Sequence, residues 1–171
     1  MTRIREATPA EAAALAELAA VTFREAYCGH LDAANLEAYI AEVYAADRIA
    51  GELADPAYTY LVAEVEGERA GFALLYDEVP APAGVPGERP LRLHRIYTRR
   101  AWWGAGVGPA LMDACLERAR RGGFSSLWLT VWERNDRAIA FYRRNGFEVV
   151  GTHPFPLGWE VQIDPVLARA V

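Results

Sequence analysis

Three closely spaced glycines, Gly104, Gly106 and Gly108, are the residues of this chain whose spacing most directly suggests chemistry. Apolar residues alternate before them from Leu91 to Tyr97, and apolar residues at helical spacing follow from Leu111 to Ala119. We therefore predict a strand, a glycine turn and a helix. The N–H groups of such a turn are poorly covered, so they could bind a phosphate or pyrophosphate at the positive end of the helix dipole. A tight turn without a ligand is the other interpretation, and the glycines alone leave it open.

A second stretch, Asn135 to Phe147, combines a helix signal with two adjacent aromatic residues. Asn135 or the residue after it can cap a helix, and Gly146 can end that helix in a left-handed conformation. Phe141 and Tyr142 lie near the end of the predicted helix. By themselves they could be two core aromatics, and Asn135 could be a helix cap without another role.

Together, the two stretches resemble the GNAT superfamily of N-acetyltransferases. The first is similar to the acetyl-CoA loop of that family, usually Gln/Arg-x-x-Gly-x-Gly/Ala after a strand. The second is similar to its strand, asparagine and helix segment, which ends Ala-x-x-Phe-Tyr-x-x-x-Gly-Phe. With the predicted N-terminal helices and the ending Gly151–Gly158, the resemblance covers nearly the whole chain and looks closest to the spermine/spermidine acetyltransferase branch.

Two residues depart from the family pattern. Trp103 occupies the position where the family usually has Gln or Arg, and Pro109 removes one N–H group from the first turn of the helix. We expect weaker or altered cofactor binding as a result, rather than none. Arg99 and Arg100 could add positive charge beside the turn, or they could be two solvated arginines.

The resemblance implies that acetyl-CoA is the co-substrate and that it binds where two parallel strands splay apart, one ending near Thr98 and the other near Trp132. Backbone amides of the glycine turn would hold the pyrophosphate, and the strand edge at Ile96 and Tyr97 would bind the acetyl and pantetheine groups. Asn135 would contact the pantetheine arm or a bound water. The cofactor-binding residues expected on this basis are Ile96, Tyr97, Thr98, Trp103, Gly104, Ala105, Gly106, Val107, Gly108, Asn135 and Phe141.

Acetyl transfer to an amine needs two proton movements. An ammonium with a pKa of ~10.4 must lose a proton, and the departing thiolate can accept one. Tyr142 matches the family tyrosine beside the cofactor sulfur, so its neutral phenol would be the acid. His94 lies where related sequences often show glutamate, and an imidazole with a pKa of ~6.5 is available as a base at pH 7. Glu133 and a water relay are alternatives to His94, which could also be structural.

Composition limits the class of protein. The chain has 171 residues, 53% of them hydrophobic and 24% charged, which predicts one N-acetyltransferase domain over residues 1–171. A net charge of −5 argues against nucleic acid or an anionic membrane as a partner and suits a cationic substrate. No segment approaches the ~18 apolar residues of a membrane span. Cys28 and Cys115 are expected to be buried, reduced thiols on helix faces, with no metal cluster, in a cytoplasmic protein.

The remaining elements follow from periodicity and capping signals. A capping box begins at Thr8, Asp32 can cap a second helix, and residues 79–90 are rich in proline and predict a mobile surface loop. In the family, the helical N-terminal half covers the acceptor pocket, although its tyrosines are more often core or rim residues. The predicted fold is α+β, a mixed, mostly antiparallel sheet of about seven strands with helices on both faces. Besides the strand and helix around the glycine turn and the helix after Asn135, the predicted elements are strands 4–7, 58–65, 69–76, 126–132, 148–153 and 161–169, and helices that end at 27, begin at 32 and span 47–53.

We therefore expect an acetyl-CoA-dependent N-acetyltransferase that acts on the primary amine of a small molecule, by direct attack in a ternary complex. A polyamine is one candidate acceptor. A protein α-amine or lysine is an alternative, and a noncatalytic acyl-CoA-binding module is left open by Trp103 and His94. A dinucleotide oxidoreductase is disfavoured, because the glycines do not begin a repeated βαβ sheet and no acidic ribose ligand follows at the expected spacing. The sequence leaves a homodimer open.

Overall fold

The computed structural model describes residues 1–157 and 160–171, so Gly158 of the predicted ending motif lies outside the described residues. The helices are α1 (Ala12–Tyr27), α2 (Ala33–Val43), α3 (Ala46–Ala54), α4 (Val107–Arg121) and α5 (Asp136–Arg144). The strands are β1 (Thr2–Glu6), β2 (Tyr58–Val65), β3 (Glu68–Tyr76), β4 (Pro90–Thr98), β5 (Ser126–Thr130), β6 (Glu148–Leu157) and β7 (Glu160–Ala170).

Seven strands form one mixed sheet in the order β1-β2-β3-β4-β5-β7-β6. The pair β4 and β5 is parallel, whereas β1 with β2, β5 with β7 and β6 with β7 are antiparallel. The predicted α+β class with a mostly antiparallel seven-stranded sheet is confirmed. None of the described helices has the length and hydrophobicity that a membrane-spanning helix requires.

The chain forms two compact units, residues 1–75 with 95–114 and residues 76–94 with 115–171. In the first unit, α1, α2 and α3 pack their apolar faces against β2 and β3. The predicted caps are present: Glu11 accepts a hydrogen bond from the backbone N–H of Thr8 at 2.9 Å, and Asp32 accepts from the first turn of α2 at 3.1 Å. The buried core residues of this unit include Leu15, Leu18, Phe23, Leu36, Ile40, Ile49, Val62, Phe72 and Leu74.

The parallel strands β4 and β5 pair over a short distance. Residues 90–92 of β4 pair with residues 126–128 of β5, and both strands continue beyond the last pair. The parallel ladder is therefore limited to three residues of each strand.

Strand β6 is longer than predicted. We expected it to end at His153, yet the strand continues to Leu157 through Pro154 and Pro156, which cannot donate to a ladder. It lies at the edge of the sheet, where one side of the backbone has no neighbouring strand, and proline is tolerated at such positions.

The predicted mobile loop is anchored within the second unit. Arg89 donates from its backbone to Ser125 at 3.0 Å and lies 4.1 Å from the centroid of the Phe124 ring. The carbonyl group of Pro86 accepts from Ser126, and apolar loop residues cover Trp128. Residues 79–89 are outside helices and strands as expected, and Pro90 begins β4. The contacts of the segment do not fit the mobility that we predicted.

One cysteine was predicted wrongly. Cys115 is buried in α4, and burial raises its pKa to about 12. Cys28 is exposed, because α1 ends at Tyr27 and Cys28 is the capping residue after it, beyond the apolar face of the helix.

Candidate functional site

The glycine turn lies in the first unit, directly after β4. Gly104 and Gly106 have φ angles of 81° and 84°, in the left-handed region that favours glycine. A Cβ atom added at either position would meet nothing within 4 Å, so the backbone conformation, not crowding, requires glycine there. Gly104, Ala105 and Gly106 are exposed, and the N–H group of Ala105 donates to the carbonyl of Trp102 at 3.2 Å. The backbone of the two glycines is open to a ligand.

Helix α4 begins at Val107, immediately after the turn. The N–H groups of Val107 and Gly108 lie in the first turn, where no intrahelical acceptor is available, and they can bind an anion. Pro109 is also in that first turn, so it removes one potential anion donor without breaking a helical hydrogen bond. The N–H group of Ala110 donates to Gly106 O at 3.1 Å and joins the glycine turn to α4.

Trp103 has a positioning role that the sequence did not reveal. Its indole N–H donates to the carbonyl oxygen of Thr98 at 2.9 Å, which joins the glycine turn to the end of β4. The guanidinium group of Arg100 lies 5.4 Å from the centroid of the Trp103 ring. Arg100 also donates from its backbone to the Glu25 carboxylate at 2.6 Å and from its side chain to the Glu25 carbonyl at 2.7 Å. Arg100 therefore holds the turn to α1 and is not simply solvated.

The end of β4 is fixed against β3. A Cβ atom on Gly71 would lie 2.6 Å from the carbonyl oxygen of Tyr97 and 3.1 Å from Cα of Thr98. The backbone N–H of Arg99 donates to Ala70 at 2.8 Å. The strand end that precedes the glycine turn thus has a defined backbone position.

The predicted base, His94, and the buried Arg95 lie on opposite faces of β4. Successive side chains of a strand point to opposite faces, so His94 shares a face with Arg92, and Arg95 shares the other face with Tyr97. Arg92 lies 5.2 Å from the centroid of the Trp128 ring, and His94 is half-buried.

A polar cluster that we did not predict lies on the face of β4 that carries Arg95. Arg95 and Glu52 are each 8% exposed, and Arg95 Nη1 lies 3.6 Å from Glu52 Oε2. The same carboxylate oxygen accepts a 2.5 Å hydrogen bond from the hydroxyl group of Tyr60. Burial and the neighbouring Glu52 raise the pKa of Tyr60, so its hydroxyl keeps its proton.

Aromatic rings extend from this cluster. Arg95 lies 5.1 Å from the centroid of the Tyr44 ring, Tyr44 and Tyr39 are 6.0 Å apart, and Tyr39 stacks on Phe23 at 4.7 Å. Burial raises the pKa of Tyr39, Tyr44 and Tyr97. All three are therefore neutral phenols at physiological pH.

The sequence contained a weak signal for this cluster. Arg95 occupies a core-facing position in the alternation of Leu91, Leu93 and Tyr97, where an apolar residue is usual. Glu52 lies three residues after Ile49 in α3, on the same helix face. A charged residue on each of two buried faces indicates a pair, because a buried charge without a partner is destabilising.

The remaining predicted residues lie in the second unit. Asn135 caps α5, since its side-chain oxygen accepts from the backbone N–H of Ala138 at 3.1 Å. Tyr142 is 9% exposed, and its ring contacts Phe141 and Phe147 at centroid distances of 5.5 and 5.8 Å. Gly146 ends the helix with φ of 80°, as predicted. Asn135 thus caps a helix and Tyr142 packs in the core, and neither contact prevents the residue from having a chemical role as well.

Glu133, the alternative base, is exposed in the segment before α5. Its backbone N–H donates to the carboxyl group of Asp164, which is 9% exposed. Burial raises the pKa of Asp164, and the hydrogen bond from Glu133 partly offsets this shift.

Comparison with known proteins shows similarity along most of the chain. A model of the Acetyltransferase (GNAT) family matches residues 14–147. An uncharacterized N-acetyltransferase of Mycobacterium tuberculosis is 31% identical over 156 residues, which cover 91% of this chain and 94% of that protein. An L-methionine sulfoximine/L-methionine sulfone acetyltransferase of Pseudomonas aeruginosa is 35% identical over 98 residues, covering 57% and 55% of the two chains. The crystal structure of PaiA N-acetyltransferase from Thermoplasma acidophilum, in complex with coenzyme A, has the same fold, with a TM-score of 0.81, 20% identity and coverage of 100% and 99%.

Proposed function

Because the chain belongs to the Acetyltransferase (GNAT) family, we propose that it transfers the acetyl group of acetyl-CoA to the primary amine of a small molecule. The observation that carries this proposal is the glycine turn, where two exposed glycines with left-handed backbone lead directly into the N-terminus of α4. That arrangement suits a pyrophosphate. The reaction is a direct attack by the amine in a ternary complex, and residues 1–171 act as one catalytic domain.

Acetyl-CoA is held mainly by backbone groups in this proposal. Within residues 103–108, the N–H groups of Trp103 and Ala105 donate to the carbonyl groups of Arg100 and Trp102, so the N–H groups of Gly104, Gly106, Val107 and Gly108 bind the pyrophosphate. The β4 edge at residues 96–98 binds the acetyl and pantetheine groups. The short ladder between β4 and β5 supports this role, because it leaves backbone groups of β4 beyond Arg92 without a partner on β5. Asn135 and Phe141 contact the pantetheine arm. Trp103 keeps the turn in position through its bond to Thr98.

The proposed chemistry requires a neutral amine and a protonated leaving group. The amine nitrogen attacks the thioester carbonyl carbon, the carbon–sulfur bond breaks, and Tyr142 gives its proton to the departing thiolate. The proton that the new amide nitrogen loses restores the phenol of Tyr142. His94 removes the proton of the ammonium, with Glu133 or a water chain as the alternatives. A phenol is neutral at pH 7, so Tyr142 carries the proton that this role requires.

The acceptor candidates come from similar proteins. A polyamine follows from the resemblance to the spermine/spermidine branch, and an amino acid follows from the relative that acts on L-methionine sulfoximine and L-methionine sulfone. A protein α-amine or lysine is the alternative among enzymes. The free thiols of Cys28 and Cys115 support a reducing compartment, and we propose the cytoplasm as the location.

Thiol release from acetyl-CoA, measured across a panel of polyamines, amino acids, simple amines and peptides, tests the function. Thermal melts with acetyl-CoA provide a second readout, because a ligand that binds the native state at ~100 times its Kd stabilises it by about 2.7 kcal/mol. We expect a raised Tm and release with at least one small amine. An unchanged Tm at millimolar acetyl-CoA, together with no release from any acceptor, would overturn the proposal. A raised Tm without any release would indicate the noncatalytic acyl-CoA-binding module.

A further inference from the structure

We propose that Arg95 binds a carboxylate of the acceptor, so that this acetyltransferase acts on the amine of an amino acid and not on a polyamine. The inference rests on the proposed function and adds the class of acceptor. It comes from the buried polar cluster on the helix-facing side of β4, which the acetyl-transfer chemistry does not use.

Arg95 has hydrogen-bonding capacity that its surroundings do not fill. Its side chain is 6% exposed, and Nη1 is buried without a hydrogen-bond partner. The 3.6 Å separation from Glu52 Oε2 is an ion-pair distance that is too long for a hydrogen bond. Buried polar groups in folded proteins are nearly always hydrogen-bonded, so a buried guanidinium nitrogen without a partner indicates a place for a ligand. Guanidinium groups match the geometry of a carboxylate and bind it with two parallel hydrogen bonds.

The hydrogen-bonding groups around Arg95 favour an acceptor. Glu52 is its buried counter-charge, but Glu52 Oε2 accepts from Tyr60 and Glu52 Oε1 lies 3.5 Å from Nε of the exposed Arg48. The carboxylate of Glu52 therefore balances the charge of Arg95 without accepting a hydrogen bond from Nη1. A carboxylate of the acceptor could accept that bond, whereas an ammonium group of a polyamine offers only donors.

The neighbouring rings suit the rest of an amino acid. Tyr39 is 39% exposed and contacts Tyr44, which lies against Arg95, so the ring series connects the surface with the guanidinium group. Its tyrosines are neutral and do not repel a carboxylate. The ring faces can pack against an apolar or aromatic side chain.

The cluster also lies beside the proposed cofactor groups in the same unit. Tyr97 is two residues after Arg95 on the same strand face, about 6.6 Å along a strand, and its backbone belongs to the edge proposed for the acetyl group. An α-amino acid carries its amine next to its carboxylate. A carboxylate at Arg95 would therefore place the amine near the end of β4, where acetyl transfer is proposed.

An acceptor series on the wild-type enzyme tests the inference without a mutation. The best amino acid from the panel is compared with its carboxamide and with the amine that lacks the carboxylate, through kcat/KM for thiol release. We expect a loss of about 10- to 100-fold for both analogues, the range for a charged hydrogen-bonded group. The amine of an amino acid amide has a pKa of about 8, so at pH 8 about half of it is neutral and a loss for the amide cannot come from protonation. The decarboxylated amine has a pKa of ~10.4, so its kcat/KM is calculated for the neutral amine.

Equal or higher kcat/KM for the amide, for the decarboxylated amine or for spermidine would overturn the inference and leave the proposed function intact. Absence of release from every acceptor would overturn both. The two failures are thus distinguishable in one set of assays.

Variants then test Arg95 itself. Arg95→Gln should bring the ratio of kcat/KM between acid and amide close to one and leave KM for acetyl-CoA unchanged, and Arg95→Lys should restore part of the ratio. Arg92→Gln is the matched control, since it removes a guanidinium group from the opposite face of the same strand. The ratio of kcat/KM between acid and amide does not depend on the fraction of the enzyme that is folded. An undiminished ratio in Arg95→Gln would assign Arg95 a structural role only, and if neither variant folds, the acceptor series on the wild type decides.

Discussion

Removal of one hydroxyl group, in the variant Tyr142→Phe, should lower turnover by about 10²- to 10⁴-fold, the range for general acid–base catalysis. If Tyr142 protonates the thiolate, the variant lacks the proton but keeps the ring. A loss of 10²-fold corresponds to about 2.7 kcal/mol in the barrier. KM for acetyl-CoA should stay nearly the same, because the proposed cofactor contacts are made by other residues.

The structure indicates why this variant should fold. The Tyr142 ring meets Phe141 and Phe147 at interplanar angles of 64° and 62°, and phenylalanine keeps both edge contacts. The loss in free energy of unfolding should be about 1 kcal/mol, as for one hydrogen bond. Truncation to alanine would instead remove a buried ring and cost about 3–5 kcal/mol. Tyr142→Phe therefore separates chemistry from folding, which Tyr142→Ala does not.

The assay is steady-state thiol release with saturating acceptor, combined with a thermal melt of each variant. Tyr76→Phe, at the end of β3, is the control and should retain wild-type turnover. Full activity in Tyr142→Phe would refute the acid role and make Tyr142 a core residue. The thiolate would then leave without a proton donor, which a thiol pKa of about 8.5 makes feasible.

Two further predictions concern proton equilibria. His94→Gln should flatten or displace the acidic limb of the pH–rate profile and depress turnover most at neutral pH; an unchanged limb would transfer the base role to Glu133 or a water chain. Hydrogen bonds from Arg5, the backbone of Thr8 and Arg69 hold the pKa of Glu11 in the folded protein well below its usual value. The ionised carboxylate of Glu11 therefore stabilises the fold fully above about pH 4.3, the pKa of a glutamate in the unfolded chain, and this stabilisation is lost as the pH falls toward the pKa in the folded protein. Glu11→Gln should therefore flatten the rise of Tm between about pH 2 and pH 5, and parallel Tm profiles for the variant and the wild type would contradict this.

Local signals predicted the elements well. The strand expected at 58–65 is observed at Tyr58–Val65, because alternation and β-branched residues act within the segment itself. The caps at Asp32 and Asn135 were also predicted, since a cap needs a side chain and an N–H group only a few residues apart.

Features that depend on distant residues were missed. The pair of Arg95 and Glu52 joins a strand and a helix that are far apart in sequence, and periodicity does not say which buried positions meet. The loop at 79–90 was predicted as mobile from its prolines, which describe local backbone but not the contact of Arg89 with Phe124. The roles of Tyr142 and His94 stay predictions, because they depend on where a substrate binds.

The missing side chain at Gly71 limits how this protein can diverge. Any other residue in that position of β3 would bring a Cβ atom to 2.6 Å from the backbone of Tyr97, a separation that real Cβ atoms do not show. The obstacle is a backbone atom, so no change of neighbouring rotamer can relieve it. Surface residues of β3 can be substituted one at a time during evolution. A substitution of Gly71, in contrast, requires that the backbone at residues 97–98 shifts at the same time.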